Sequence, residues 1–280
     1  MQPAFAAAFS ILALTCATQL HAQPATAPAP AGLPGLTTAD AIDPTTRCAI
    51  ARFRSCDIEA AVARGLFETG LTPVFPEHAS CREIDEGYAI SYTSKRDREQ
   101  YHGGIDMPAP WGTPMIAAAA GTVVAKYKGE ASYRGIEITL RHAPEDTGIP
   151  LWIYTQYAHC AELPALEVGQ RVHMGQPLCP TGNTGITRSN KRGHRRPAIH
   201  FAVFYSTSDQ YADIRDRIVP ADGHWMDPIA LYRKSATADS ATMKALPASE
   251  KPVPIPVMFD DGEPHPADTK LIWPYTCSKK

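Results

Sequence analysis

Three stretches decide the fold: GTVVAKY at residues 121–127, IEITLRH at 136–142 and LWIYTQYAH at 151–159. Each either alternates apolar with polar residues or is dense in β-branched and aromatic side chains, the texture of half-buried strands. Working outward, the strand candidates are Tyr88–Thr93, Thr122–Lys128, Ile136–His142, Trp152–Ala158, Pro177–Cys179 and Ile199–Tyr205, with glycine turns between them. No long helical period interrupts the run. Residues 87–232 therefore read as an all-β unit, a compact, mostly antiparallel β-sheet of barrel or sandwich type.

The flanks have a different texture. Residues 57–69 (DIEAAVARGLFET) carry Ile58, Ala61, Val62 and Leu66 at helical spacing with Asp57 as a cap, so 46–86 reads as a small N-terminal helical appendage. The 26 prolines, about 9% of 280 residues against a usual ~5%, cluster at both ends. Residues 23–45 read as a Pro/Ala-rich linker, and 233–280 (with KPVPIPVMFDDGEPHP) as a Pro-rich C-terminal tail. A hydrophobic content of 44% supports a real core, and a net charge of -2 gives no global electrostatic case for nucleic acid. Composition excludes a collagen, a coiled coil, a polytopic membrane protein and a wholly disordered chain.

Residues 4–20 (AFAAAFSILALTCATQL) are apolar and uncharged, followed by His21-Ala22-Gln23. This reads as a signal peptide over 1–22 with cleavage after Ala22. A membrane anchor is the competing reading, since the run is at the short limit for a span. Cleavage implies a periplasmic or secreted protein with no stable membrane insertion afterwards. Six cysteines then remain, an even number in an exported chain, which predicts disulfides. No C-x-x-C occurs, so neither a zinc ribbon nor a thioredoxin-type redox site is expected. The pairs expected are Cys160–Cys179 and Cys48–Cys56, with Cys277 as a staple for the chain end.

Three histidines stand in telling contexts: His102-Gly103-Gly104-Ile105-Asp106, Tyr157-Ala158-His159, and Ala198-Ile199-His200-Phe201. A His and an Asp four apart across two glycines suit a metal site on an extended turn, the glycines letting the backbone bend. Imidazole with carboxylate is a common zinc set, and His200 on a strand is a third ligand. Taken singly, each of these signals is weak.

Their order along the chain is more specific. HGGIDMPAPWGTPMIAAAAGTVV, YAH, LEVGQRVHMGQPL, TGNTG and IHF follow one another over residues 87–232, and together they resemble the lysostaphin-type (LytM-like) zinc metallopeptidases. The resemblance implies a secreted zinc endopeptidase that cuts peptide cross-links of bacterial peptidoglycan. It implies zinc on His102, Asp106 and His200, and His159 as the catalytic histidine. It also implies a peptidoglycan peptide as partner, and the chain is expected to act as a monomer. One departure is expected to matter: the family's His-x-His-Phe reads Ala198-Ile199-His200-Phe201 here. Arg196, Arg195 or His194, from the basic loop 191–197, are expected to reach into the vacancy, Arg196 and His194 thereby joining the catalytic set. The alternative is a non-catalytic or weakly active wall-binding regulator of the amidase-activator type.

Overall fold

The computed structural model describes Met1 and residues 32–96, 98–129, 132–185, 196–234 and 239–280. The expected signal peptide falls outside the described residues apart from Met1. A seven-stranded sheet organises the rest. Its strands run in the order His224–Met226, Ala198–Ser206, Trp152–Ala158, Glu137–His142, Gly121–Tyr127 and Arg171–Val172, every pair antiparallel. The seventh strand, Ile105–Pro108, pairs with the first half of Ala198–Ser206, along the edge whose second half pairs with His224–Met226.

The two outer edges of this sheet do not meet, so it is open and forms no barrel. Five short α-helices accompany it among the described residues: Pro44–Ala51, Ile58–Ala63, Thr93–Arg96, Pro144–Thr147 and Ser240–Ala245. The fold is therefore mixed α/β, which corrects the all-β barrel-sandwich expected from sequence. Ile58–Ala63 falls within the helix expected over 57–69, and the other four escaped because none exceeds eight residues, too few to display a 3.6-residue period. Their start signals are nonetheless ordinary: Asp43 caps Pro44–Ala51 by accepting from the Thr46 amide at 2.9 Å, with proline at the first helical position.

Strand register decides which side chains share a face, because residues directly opposite one another in a sheet point the same way. One row runs Ile138, Tyr157, Phe201 and the next Leu140, Thr155, Val203. These residues belong to one buried apolar core together with Met115, Leu271 and Trp273. On the opposite face a row runs Glu137, Ala158, His200, Asp106, and beside it Thr139, Gln156, Ala202. The alternation in IEITLRH thus separates an apolar face from a polar one, but both are buried.

The ends of the chain close the core. Thr72–Val74 pairs in parallel with Pro252–Pro254, and Ala79–Ser80 pairs with Ser278–Lys279. The Ile116 and Ile272 amides donate to Pro274 and Ala118 carbonyls at 3.0 and 2.8 Å. Residues 252–280 are therefore packed rather than trailing, despite their proline content. The Cys48–Cys56 and Cys160–Cys179 disulfides form as expected, and a third joins Cys81 to Cys277. One expected strand is absent: Tyr88–Thr93 holds a turn, a single bridge from Ser91 to Tyr101 and the first residue of the Thr93–Arg96 helix.

Candidate metal centre

The pairing of Ile105–Pro108 with Ala198–Phe201 sets Asp106 directly opposite His200 on the polar face. His102 enters from the preceding turn, its backbone held by the Ala89 amide donating to its carbonyl and its own amide donating to Ile90, both at 2.9 Å. The His102 Nδ1–H donates to the Gly87 carbonyl at 3.0 Å, which turns Nε2 toward the other two side chains. His102 Nε2 lies 2.9 Å from His200 Nδ1 and 3.2 Å from Asp106 Oδ1, and His200 Nδ1 lies 2.9 Å from the same oxygen. The three residues are 5%, 1% and 8% exposed.

Asp106 was read on an extended turn; it lies on a strand instead, and the two glycines before it serve close approach. A Cβ at Gly104 would stand 2.9 Å from the His200 ring, and one at Gly103 would stand 2.7 Å from the Trp225 ring. Neither glycine needs a left-handed backbone. They are there because imidazole and indole rings pack against the chain at that point.

Two imidazole nitrogens and a carboxylate oxygen that converge out of water make a donor set able to hold a metal ion. The donors fit zinc: a tetrahedral ion with bonds of ~2.1 Å asks for ligand atoms roughly 3.4 Å apart, close to the triangle observed. Three protein ligands leave one position open, the composition of a catalytic rather than a structural zinc site. Burial alone would push the Asp106 carboxyl up, but the two imidazoles at hydrogen-bond distance hold it well below the usual carboxylate range. The carboxylate is thus charged and ready to ligate.

His159 follows the Trp152–Ala158 strand with φ of +66°, a left-handed conformation that is uncommon for a residue with a side chain. Its backbone is pinned, the amide donating to Arg134 at 3.0 Å and the carbonyl accepting from Gly182 at 2.9 Å. The Nδ1–H donates to the Thr184 carbonyl at 2.7 Å, so Nε2 carries the lone pair. Its ring centroid is 6.1 Å from that of His200, and both rings line one groove of about 330 Å³.

Ala198 requires a correction. The ligand set is complete without it, with histidine at position 200, and Ala198 itself is a wholly buried strand residue opposite Pro108. The doubt it raised about the site has no support in this arrangement. Arg196 is exposed and ion-paired with Asp85. His194 and Arg195 lie outside the described residues.

The sequence reading missed the groove's own walls. Arg134, Gln156 and Arg217 line it on the His159 side, and Arg52 and Tyr101 on the His102 side. Gln156 could have been found, since it alternates with Thr155 and Tyr157 on the strand that ends at His159. Arg52 could not, being brought in from the Pro44–Ala51 helix by its left-handed C-cap.

Residues 100–213, which contain all three ligands and His159, match the family model of Peptidase family M23. An uncharacterized metalloprotease of Haemophilus influenzae is 36% identical over 86 residues, which is 31% of this chain and 16% of that protein. The chain thus spans less than a fifth of that relative's length. Among solved structures, the catalytic domain of the antimicrobial peptidase lysostaphin from Staphylococcus simulans is 24% identical. That match covers 46% of this chain and 84% of the other, with a TM-score of 0.35. A zinc-containing peptidase from Vibrio cholerae is 23% identical over 56% of this chain and 39% of its own, with a TM-score of 0.36.

Proposed function

We propose that the chain is a zinc metalloendopeptidase that hydrolyses peptide cross-links of bacterial peptidoglycan. The observation that carries this reading is the buried triangle of His102 Nε2, Asp106 Oδ1 and His200 Nδ1 inside the stretch that matches a peptidase family. When bound, zinc supplies Lewis acidity, polarising a carbonyl and lowering the pKa of water toward ~7. The chain's part begins with holding that ion through the three ligands. His159, with Nδ1–H committed to Thr184, accepts a proton at Nε2 and returns it to the leaving amine. Arg196 joins the reading as a holder of developing negative charge, a role open to a permanent cation but not that of a base. A wild-type rate for Arg196→Ala would remove it.

Three disulfides support an oxidising compartment, so the reading includes export to the periplasm or beyond, and action as a monomer. No helix among the described residues is long and apolar enough to cross a membrane. The test is digestion of purified peptidoglycan with mass identification of the released fragments. Soluble peptides that vanish on chelation and return with zinc are expected. One equivalent of zinc with no release from any wall type would favour a wall-binding regulator instead.

A further inference from the structure

The groove over the metal centre is basic in a chain whose net charge is -2. Its described lining includes Arg52, Arg54, Arg98, Arg134 and Arg217 and contains no carboxylate. On the His159 side the charges are unevenly matched. Glu137 is 1% exposed and forms an ion pair with Arg134 at 2.6 Å, close but poorly aligned for a hydrogen bond. Arg217 has no carboxylate oxygen within 4.0 Å among the described residues, and its Nη1 donates only to the Asp216 carbonyl, at 2.6 Å. The Asp216 side chain, exposed, acts on it at longer range. Two half-buried guanidinium groups thus share one buried carboxylate. Burial and the Arg134 charge together push Arg217 down to about 10, the response of a cation short of a counter-charge.

We infer that this end of the groove is a binding site for a carboxylate of the substrate peptide, with Arg217 as its principal contact and Arg134 beside it. A guanidinium fork matches a carboxylate in two parallel hydrogen bonds, and Arg217 lines the groove with only the Asp216 carbonyl accepting from it among the described residues. Register gives the spacing. Glu137, Ala158 and His200 form one cross-strand row, so Glu137, the carboxylate that Arg134 pairs with, stands two strand spacings, roughly 10 Å, from the His200 strand. That distance corresponds to about three residues of extended peptide. The preferred substrate would therefore carry a free carboxylate about three residues from the scissile bond, and neutral glycyl bridges would be poor ligands. This rests on the peptidase reading for its choice of ligand.

The test uses the full chain and one fluorescein-labelled cross-link peptide in two forms, free acid and carboxamide. Binding is read by stopped-flow anisotropy in the time before turnover, and cleavage is followed separately. The free acid should bind at least about tenfold more tightly, the difference shrinking with added salt. Arg217→Met should erase the preference by weakening the free acid far more than the carboxamide, while Arg217→Lys should keep part of it. Equal binding of the two forms by the wild-type chain would overturn the inference, and so would an equal loss for both in Arg217→Met. The two readings separate cleanly. Cleavage without carboxylate preference sinks only the subsite, whereas preference without cleavage sinks only the peptidase.

Discussion

The two faces of the central sheet are made by the same strands and buried to the same degree, yet they do opposite work. On one, Leu140, Tyr157 and Val203 are buried in the apolar core that also holds Trp273 and Met115. On the other, Glu137, Gln156, His200 and Asp106 are buried because each has a polar partner or lines the groove. Burying apolar area stabilises without further conditions, whereas a buried polar group destabilises unless it is paired. The polar face is therefore tolerable only as a network, and where that network brings His102, Asp106 and His200 together it offers a metal-binding donor set. The comparison teaches that a polar position in an alternating strand need not point at water.

The sharpest way to break the comparison is to substitute a ligand. Asp106→Ala should lose its metal and reduce peptidoglycan release by roughly a thousandfold or more while the opposite face keeps the chain folded, checked by metal analysis and circular dichroism. His159→Ala should retain zinc but slow cleavage by ~10²–10⁴, with kcat falling and KM nearly unchanged. On the other face, Leu140→Ala should destabilise by about 2–5 kcal/mol in denaturant unfolding yet leave zinc stoichiometry intact. A smaller effect comes from His142, fully buried on the apolar face, whose Nδ1–H donates to the Ala120 carbonyl at 2.6 Å. Burial pushes its pKa down to about 4. The unfolded chain, with an ordinary histidine near 6.5, binds more protons between those values. Stability should accordingly fall as pH drops from about 6.5 to about 4, by on the order of 3 kcal/mol for this group. His142→Gln should flatten that slope.

Much of this was legible. Trp152–Ala158 has the boundaries its β-branched and aromatic run predicts, Glu137–His142 differs by one residue at its start, and Ala198–Ser206 is one residue longer at each end. His102, Asp106, His200 and His159 were picked out by the order of their motifs along the chain, each context being weak alone. What was not legible depended on distant partners. Ile105–Pro108 is only four residues long, so Asp106 read as turn until its pairing with His200 was visible. Leu271, Trp273 and Tyr275 lie in a proline-rich stretch that looks unable to order itself, and they are buried because Ala118, Ile116 and the Cys81–Cys277 bridge hold that stretch down. Arg134 and Arg217 drew no reading from sequence, since nothing local shows that Glu137 is buried and paired with Arg134.

The central claim is that His102, Asp106 and His200 hold one catalytic metal ion. Zinc content of the purified full chain, measured by inductively coupled plasma mass spectrometry beside Asp106→Ala and His200→Ala, addresses it most directly. The account predicts about one zinc per wild-type chain and close to none in either variant, with all three proteins folded. Zinc that persists in both variants, or is absent from a folded wild-type chain supplied with the metal, would contradict it.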